Sequence, residues 1–133
     1  MEAIHTPGHI SNHLCFALRE AKALFSGDHI MGWSTTVVSP PDGDMAAYID
    51  SLCRVADRRD DVLWPTHGPH RDDAAVYVPA LVEHRLERER GVLAQVRSGR
   101  STIREIVKVL YADVQPELHK AARLSVWGHR IKL

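Results

Sequence analysis

The sequence predicts an α+β chain with its strands confined to residues 1–75 and with residues 76–133 helical throughout. Short apolar runs bounded by turn residues occur only ahead of Pro69, and one stretch at helical spacing lies between them. Beyond Pro69 every apolar pattern recurs at the helical period, without a strand-like alternation.

Leu14 to Leu18 reads L-C-F-A-L, and a second run, Ala23-Leu24-Phe25, follows the charged break Arg19-Glu20-Ala21-Lys22. Two short runs across such a break form a β-hairpin. The second strand ends at Ser26-Gly27-Asp28, where Gly frees the backbone to turn and leaves a carboxylate at the strand tip. After the Pro- and Gly-containing loop 39–44, Met45, Ile49, Leu52, Val55 and Ala56 recur at helical spacing, with Asp44 placed to cap the helix. Val62-Leu63-Trp64 is a brief strand stopped by Pro65, and Thr66-His67-Gly68-Pro69 is the loop at its end.

A long helix is expected from about Ala74 to Val96, with Val78, Leu81, Val82, Leu86, Leu93 and Val96 as its apolar stripe and the charged run Glu83–Arg90 exposed. Gly99 ends it. Thr102-Ile103-Arg104-Glu105 has the form of a capping box, and the helix it opens must stop before Pro116. Pro116 suits the first turn of a last helix bearing Leu118, Ala121, Ala122, Leu124, Val126 and Trp127, which gives a helix-turn-helix-like tail.

A chain of 133 residues can bury one ordinary core or two small units sharing an interface. With 44% hydrophobic and 26% charged residues, the composition excludes a disordered or fibrous class. No apolar run is long enough to span a membrane and the first residues lack a signal-peptide pattern, so a cytoplasmic protein is expected. Cys15 and Cys53 have no C-x-x-C spacing, which argues against a disulfide framework or a cysteine metal site; both are expected to be buried thiols. The zero net charge conceals an asymmetry: residues 1–80 hold 6 Lys/Arg against 11 Asp/Glu, and residues 81–133 hold 11 against 6. The basic part is either a set of solvated helix faces or a tail that approaches nucleic acid or an acidic partner. Lys108, Lys120, Arg123 and Arg130 stand under the same two readings.

Chemistry concentrates in His5-Thr6-Pro7-Gly8-His9-Ile10-Ser11-Asn12-His13. Three His at four-residue spacing would share a helix face, but Pro7 followed by Gly8 opposes a helix, so a turn presenting His9 is expected. Asp28 after one strand and His67 after another supply a carboxylate and a second imidazole, a donor set that suits zinc or another borderline divalent metal. Taken singly, each is an ordinary surface or turn residue; their joint order favours ligands. His13 is a residue behind the ligands, a core histidine or a surface one, and Trp33 lines a pocket or simply packs.

T-P-G-H, then S-G-D, then a strand ending in P-T-H-G-P together resemble the second half of the metallo-β-lactamase superfamily, in its glyoxalase II-like and β-lactamase-like branches. The resemblance covers residues 4 to about 70, and residues 76–133 resemble the winged-helix-like tail of the β-lactamase-like group. It implies the second half of an αββα sandwich in residues 1–75. It also implies two zinc ions, with His9 on the first, Asp28 bridging and His67 on the second. The family's H-x-H-x-D-H motif is absent from the chain, which is therefore expected to be a fragment, inactive alone and weak or empty in metal. The intact hydrolase would direct a metal-activated water at an ester, thioester, amide or phosphodiester of a small molecule or RNA, with no residue of this chain as nucleophile. The rival reading is a nucleic-acid or protein-binding module using the basic tail. A half-sandwich is further expected to self-associate through its open sheet face.

Overall fold

The computed structural model describes residues 1–133. Strands β1 (Glu2–His5), β2 (Leu14–Leu18), β3 (Ala23–Gly27) and β4 (Val62–Pro65) form one four-stranded sheet in that order. β1, β2 and β3 pair antiparallel, and β4 lies parallel to β3 because helix α1 (Met45–Arg58) intervenes as a crossover. The expected hairpin is present as β2 and β3, its turn a short 3-10 segment closed by Lys22 in the left-handed region at φ 44°. Strand β1 had no sequence signal of its own. Its four residues are half-buried or exposed, an edge strand recognisable only through its partner β2.

The period of two along each strand divides the sheet. Cys15, Ala17, Leu24 and Leu63 face α1 and join Tyr48, Ile49, Leu52 and Val55 in the main core. The opposite face exposes Leu14, Phe16, Phe25 and Trp64, and the register sets Phe16 beside Phe25 and Phe25 beside Trp64. Asp44 caps α1 by accepting the Ala47 N–H at 3.0 Å. Cys53, expected to be buried, is exposed: it lies off the sheet-facing stripe of α1, beside Asp50 and Asp57.

Helix α2 (Ala74–Arg97) contributes to both cores, placing Ala74, Val78 and Leu81 in the main one and Val92 in a second with Ile106, Val107, Ala122 and Val126. That second core is built from α3 (Ile103–Leu110) and α4 (His119–Lys132). Thr102 and Glu105 form the expected capping box, and Pro116 opens a 3-10 turn that leads into α4. One part of the α2 expectation fails. Val96 is exposed, whereas Arg85, read as part of the charged surface run, is only 3% exposed, because it falls one turn after Leu81 on the buried stripe. The tail docks on the sheet domain where Gly128 of α4 meets the Val38 carbonyl and Met45.

Candidate metal centre at the ends of β1, β3 and β4

The segment from Thr6 to His13 is the loop of the β1–β2 hairpin, closed by Thr6 N–H donating to the His13 carbonyl at 2.9 Å. Its Pro-Gly turn is pinned on α1. The Ser51 hydroxyl donates to the Pro7 carbonyl at 2.8 Å, and the Asp44 N–H donates to the Gly8 carbonyl at 2.8 Å. Gly8 has φ +140°, and a Cβ there would lie 2.3 Å from the Cα of Tyr48, so no other residue fits this approach.

The turn presents His9, whose Nδ1 lies 2.7 Å from the Val37 carbonyl. A carbonyl only accepts, so Nδ1 carries a proton, and in the neutral ring the lone pair is then on Nε2, the arrangement a metal-binding imidazole needs. Asp28 follows β3 and His67 follows β4; because these strands are parallel neighbours, the two side chains meet, His67 Nε2 lying 3.4 Å from Asp28 Oδ1. Asp28 Oδ1 is buried and has no hydrogen-bond partner. The His67 loop is fixed by Gly32 N–H donating to the His67 carbonyl at 2.9 Å. The structure thus joins Asp28 to His67, while His9 stands on a separate loop, and no three His, Cys, Asp or Glu side chains converge as a ready ligand set. The imidazole and carboxylate donors, one carboxylate oxygen orphaned, fit a divalent ion; a closed four-ligand site needs further donors.

Behind Asp28 runs a directed chain of hydrogen bonds. The Asp28 N–H donates to His13 Nε2 at 3.2 Å, and the His13 Nδ1–H donates to the Thr6 hydroxyl at 2.8 Å. The Thr6 hydroxyl donates to Cys15 Sγ at 3.3 Å, and the thiol donates to the Ser26 carbonyl at 3.4 Å. Burial raises the Cys15 thiol to about 11 and keeps it protonated. Burial foremost, then His9, holds His13 below the usual imidazole range, consistent with the neutral ring this chain requires. Gly27 leaves space for it: at φ +56°, a Cβ would come within 2.7 Å of His13 Nε2. On the far side the Thr36 hydroxyl donates to the Asp28 carbonyl at 2.7 Å.

His29 carried no sequence signal. It is fully buried, edge-on to Tyr48 at 4.9 Å between ring centroids, and burial pushes it down to about 3. Trp33 is 72% exposed and takes no packing role.

The sheet, the crossover helix and the helical tail define the fold class of the chain, and the comparisons with known proteins place that fold in a family. The profile of the metallo-beta-lactamase superfamily matches residues 1–67, and that of the beta-lactamase associated winged helix domain matches residues 102–133. The chain belongs to the metallo-β-lactamase superfamily. It is 33% identical over 130 residues to the atrochrysone carboxyl ACP thioesterase of Aspergillus chevalieri, a match covering 92% of this chain and 41% of the relative. The structure is similar to a metallo-beta-lactamase family protein from Thermus thermophilus at TM-score 0.78 and 23% identity, covering 96% of this chain and 42% of that one. Another structure, solved in a di-iron-bound form, matches at TM-score 0.51 and 29% identity over 56% of this chain and 38% of its own. The chain therefore spans about two fifths of the length of the curated relative it matches. No helix is long and apolar enough to cross a membrane.

Proposed function

We propose that the chain is the second half of a metal-dependent hydrolase acting on a thioester, ester, amide or phosphodiester, and that it is inactive alone. Asp28 carries the reading: its buried Oδ1 has no hydrogen-bond donor and faces His67 Nε2 at 3.4 Å. The Asp28 side chain is 39% exposed as a whole, but the Oδ1 atom facing His67 is itself buried without a donor, an acceptor that a cation would satisfy. Asp28 and His67 would hold one ion, and His9 would offer its Nε2 to a second. A bound zinc pair supplies Lewis acidity and a water of lowered pKa. The chain's own residues orient and hold: the Val37 carbonyl sets the His9 tautomer, and His13 and Thr36 fix the Asp28 backbone from both sides. Thioesters stand first because a thioesterase is among the relatives.

Cobalt(II) titration of the 133-residue chain, followed by its visible absorption, tests the reading. Weak saturable binding is expected, lost in Asp28→Asn and His67→Ala and without turnover of an acyl-thioester. Binding unchanged in both variants refutes the assignment, and metal-dependent turnover by the isolated chain refutes its inactivity.

A further inference from the structure

The buried arginine of α2 has no counter-charge. Arg85 is 3% exposed, and its one hydrogen bond goes to the Thr36 carbonyl. Its guanidinium also lies 5.1 Å from the centroid of the Tyr48 ring, but it forms no ion pair. The acid one turn further on, Glu89, is taken by Lys132 at 2.7 Å. A cation removed from water without an anion is costly, so the structure has a place where negative charge is missing.

Arg85 lines a cavity of about 510 Å³ between the loop after Asp28, helix α2 and the tail. Arg88, one turn along the same helix face, also lines it; its guanidinium reaches the Leu110 carbonyl at 3.1 Å and the Tyr111 ring at 4.7 Å, and it too lacks an ion pair. No Asp or Glu lines the cavity. The rest of the wall combines Met31, Val37, Val114 and Leu118 with the Ser34 and Thr35 hydroxyls and the His84 ring. Its volume is that of a small-molecule site. A nucleic-acid backbone does not fit this chemistry, because phosphate tracks are read by Lys and Arg on an open surface, whereas Arg85 is 3% exposed and stands in a cavity wall.

We propose that this cavity binds an organic carboxylate with an apolar body, its carboxylate paired with Arg85 and Arg88 and its body against the Met31–Val37 loop and the tail. The cavity shares a wall with the candidate metal centre, since the Thr36 hydroxyl holds the Asp28 carbonyl and the Val37 carbonyl holds His9.

Isothermal titration calorimetry of the metal-free chain with sodium octanoate at pH 8 tests this, with 1-octanol and sodium sulfate as apolar-only and anion-only probes. Saturable one-to-one binding of octanoate is expected, with both probes at least about tenfold weaker, the loss of a charge-assisted hydrogen bond. Arg85→Gln and Arg88→Gln should each weaken octanoate by about tenfold or more. Ala121→Trp, which fills the cavity from an exposed position of α4, should abolish binding while the circular dichroism spectrum is retained. Equal affinity for octanoate and 1-octanol, undiminished binding in folded Arg88→Gln or Ala121→Trp, or no saturable octanoate binding would overturn the proposal.

Discussion

His13 receives the backbone N–H of Asp28 at 3.2 Å, so a residue of the β1–β2 loop fixes the strand-end carboxylate that follows β3. The imidazole serves both ends of this link, because its other nitrogen donates to the buried Thr6 hydroxyl.

Replacing His13 with Ala leaves the Asp28 N–H and the Thr6 hydroxyl without these partners. A stability loss of about 1–3 kcal/mol is expected from urea denaturation. An unchanged midpoint would show that the chain of hydrogen bonds contributes nothing to the fold.

Gly8→Ala forces a Cβ to 2.3 Å from the Tyr48 backbone at a positive φ, and more than about 1 kcal/mol should be lost. Gly99→Ala is the control, since Gly99 also has positive φ (+91°) but nothing lies within 4 Å of its Cβ position. Thermal melts should show the larger fall for Gly8; equal falls would reduce the Gly8 effect to backbone strain alone.

His129 is fully buried on α4, facing Arg85 and Glu89 of α2 and Lys132 of its own helix. Its Nδ1 is 3.6 Å from Glu89, too far for a hydrogen bond, and burial foremost, then Arg85, pushes it down to about 4. The unfolded chain, with an ordinary imidazole near 6.5, therefore binds more protons than the folded one between these values. The stability that depends on a neutral His129 is complete above pH 6.5 and is lost as pH falls towards 4. Melting temperature followed across that window should drop, and His129→Leu should flatten the slope. A slope identical in the variant would assign the pH dependence to other groups.

Phe16, Phe25 and Trp64 form an exposed apolar row across the sheet, joined by Leu14. We expect two copies of the chain to pair through this face, since contiguous apolar surface of this kind is a site of association. Sedimentation in the micromolar range should show dimers that Phe25→Lys converts to monomers. A monomer at all these concentrations contradicts the pairing.

Most of the element order, and the family, can be read from local stretches of the chain. Period-two and helical spacing are local properties, and Asp44, Thr102 and Pro116 mark their own boundaries through backbone groups a few residues away. The three motifs around His9, Asp28 and His67 are legible for the same reason, each being a short turn at a strand end. Strand β1 is not legible, because an edge strand of four residues has little burial to pattern and exists only through its pairing with β2.

What those residues touch is set by the packed fold. Whether Asp28 meets His67 depends on β3 and β4 being parallel neighbours, and whether His13 stands behind Asp28 depends on the loop closure at Thr6. The burial of Arg85 is written in the helical phase of Val78 and Leu81, yet its lack of an acidic partner emerges only when Glu89 turns to Lys132. Short-range sterics and hydrogen bonds give each segment its backbone conformation from its own residues. Charge pairing and ligand geometry instead depend on contacts between residues far apart in the chain, which only tertiary packing brings together.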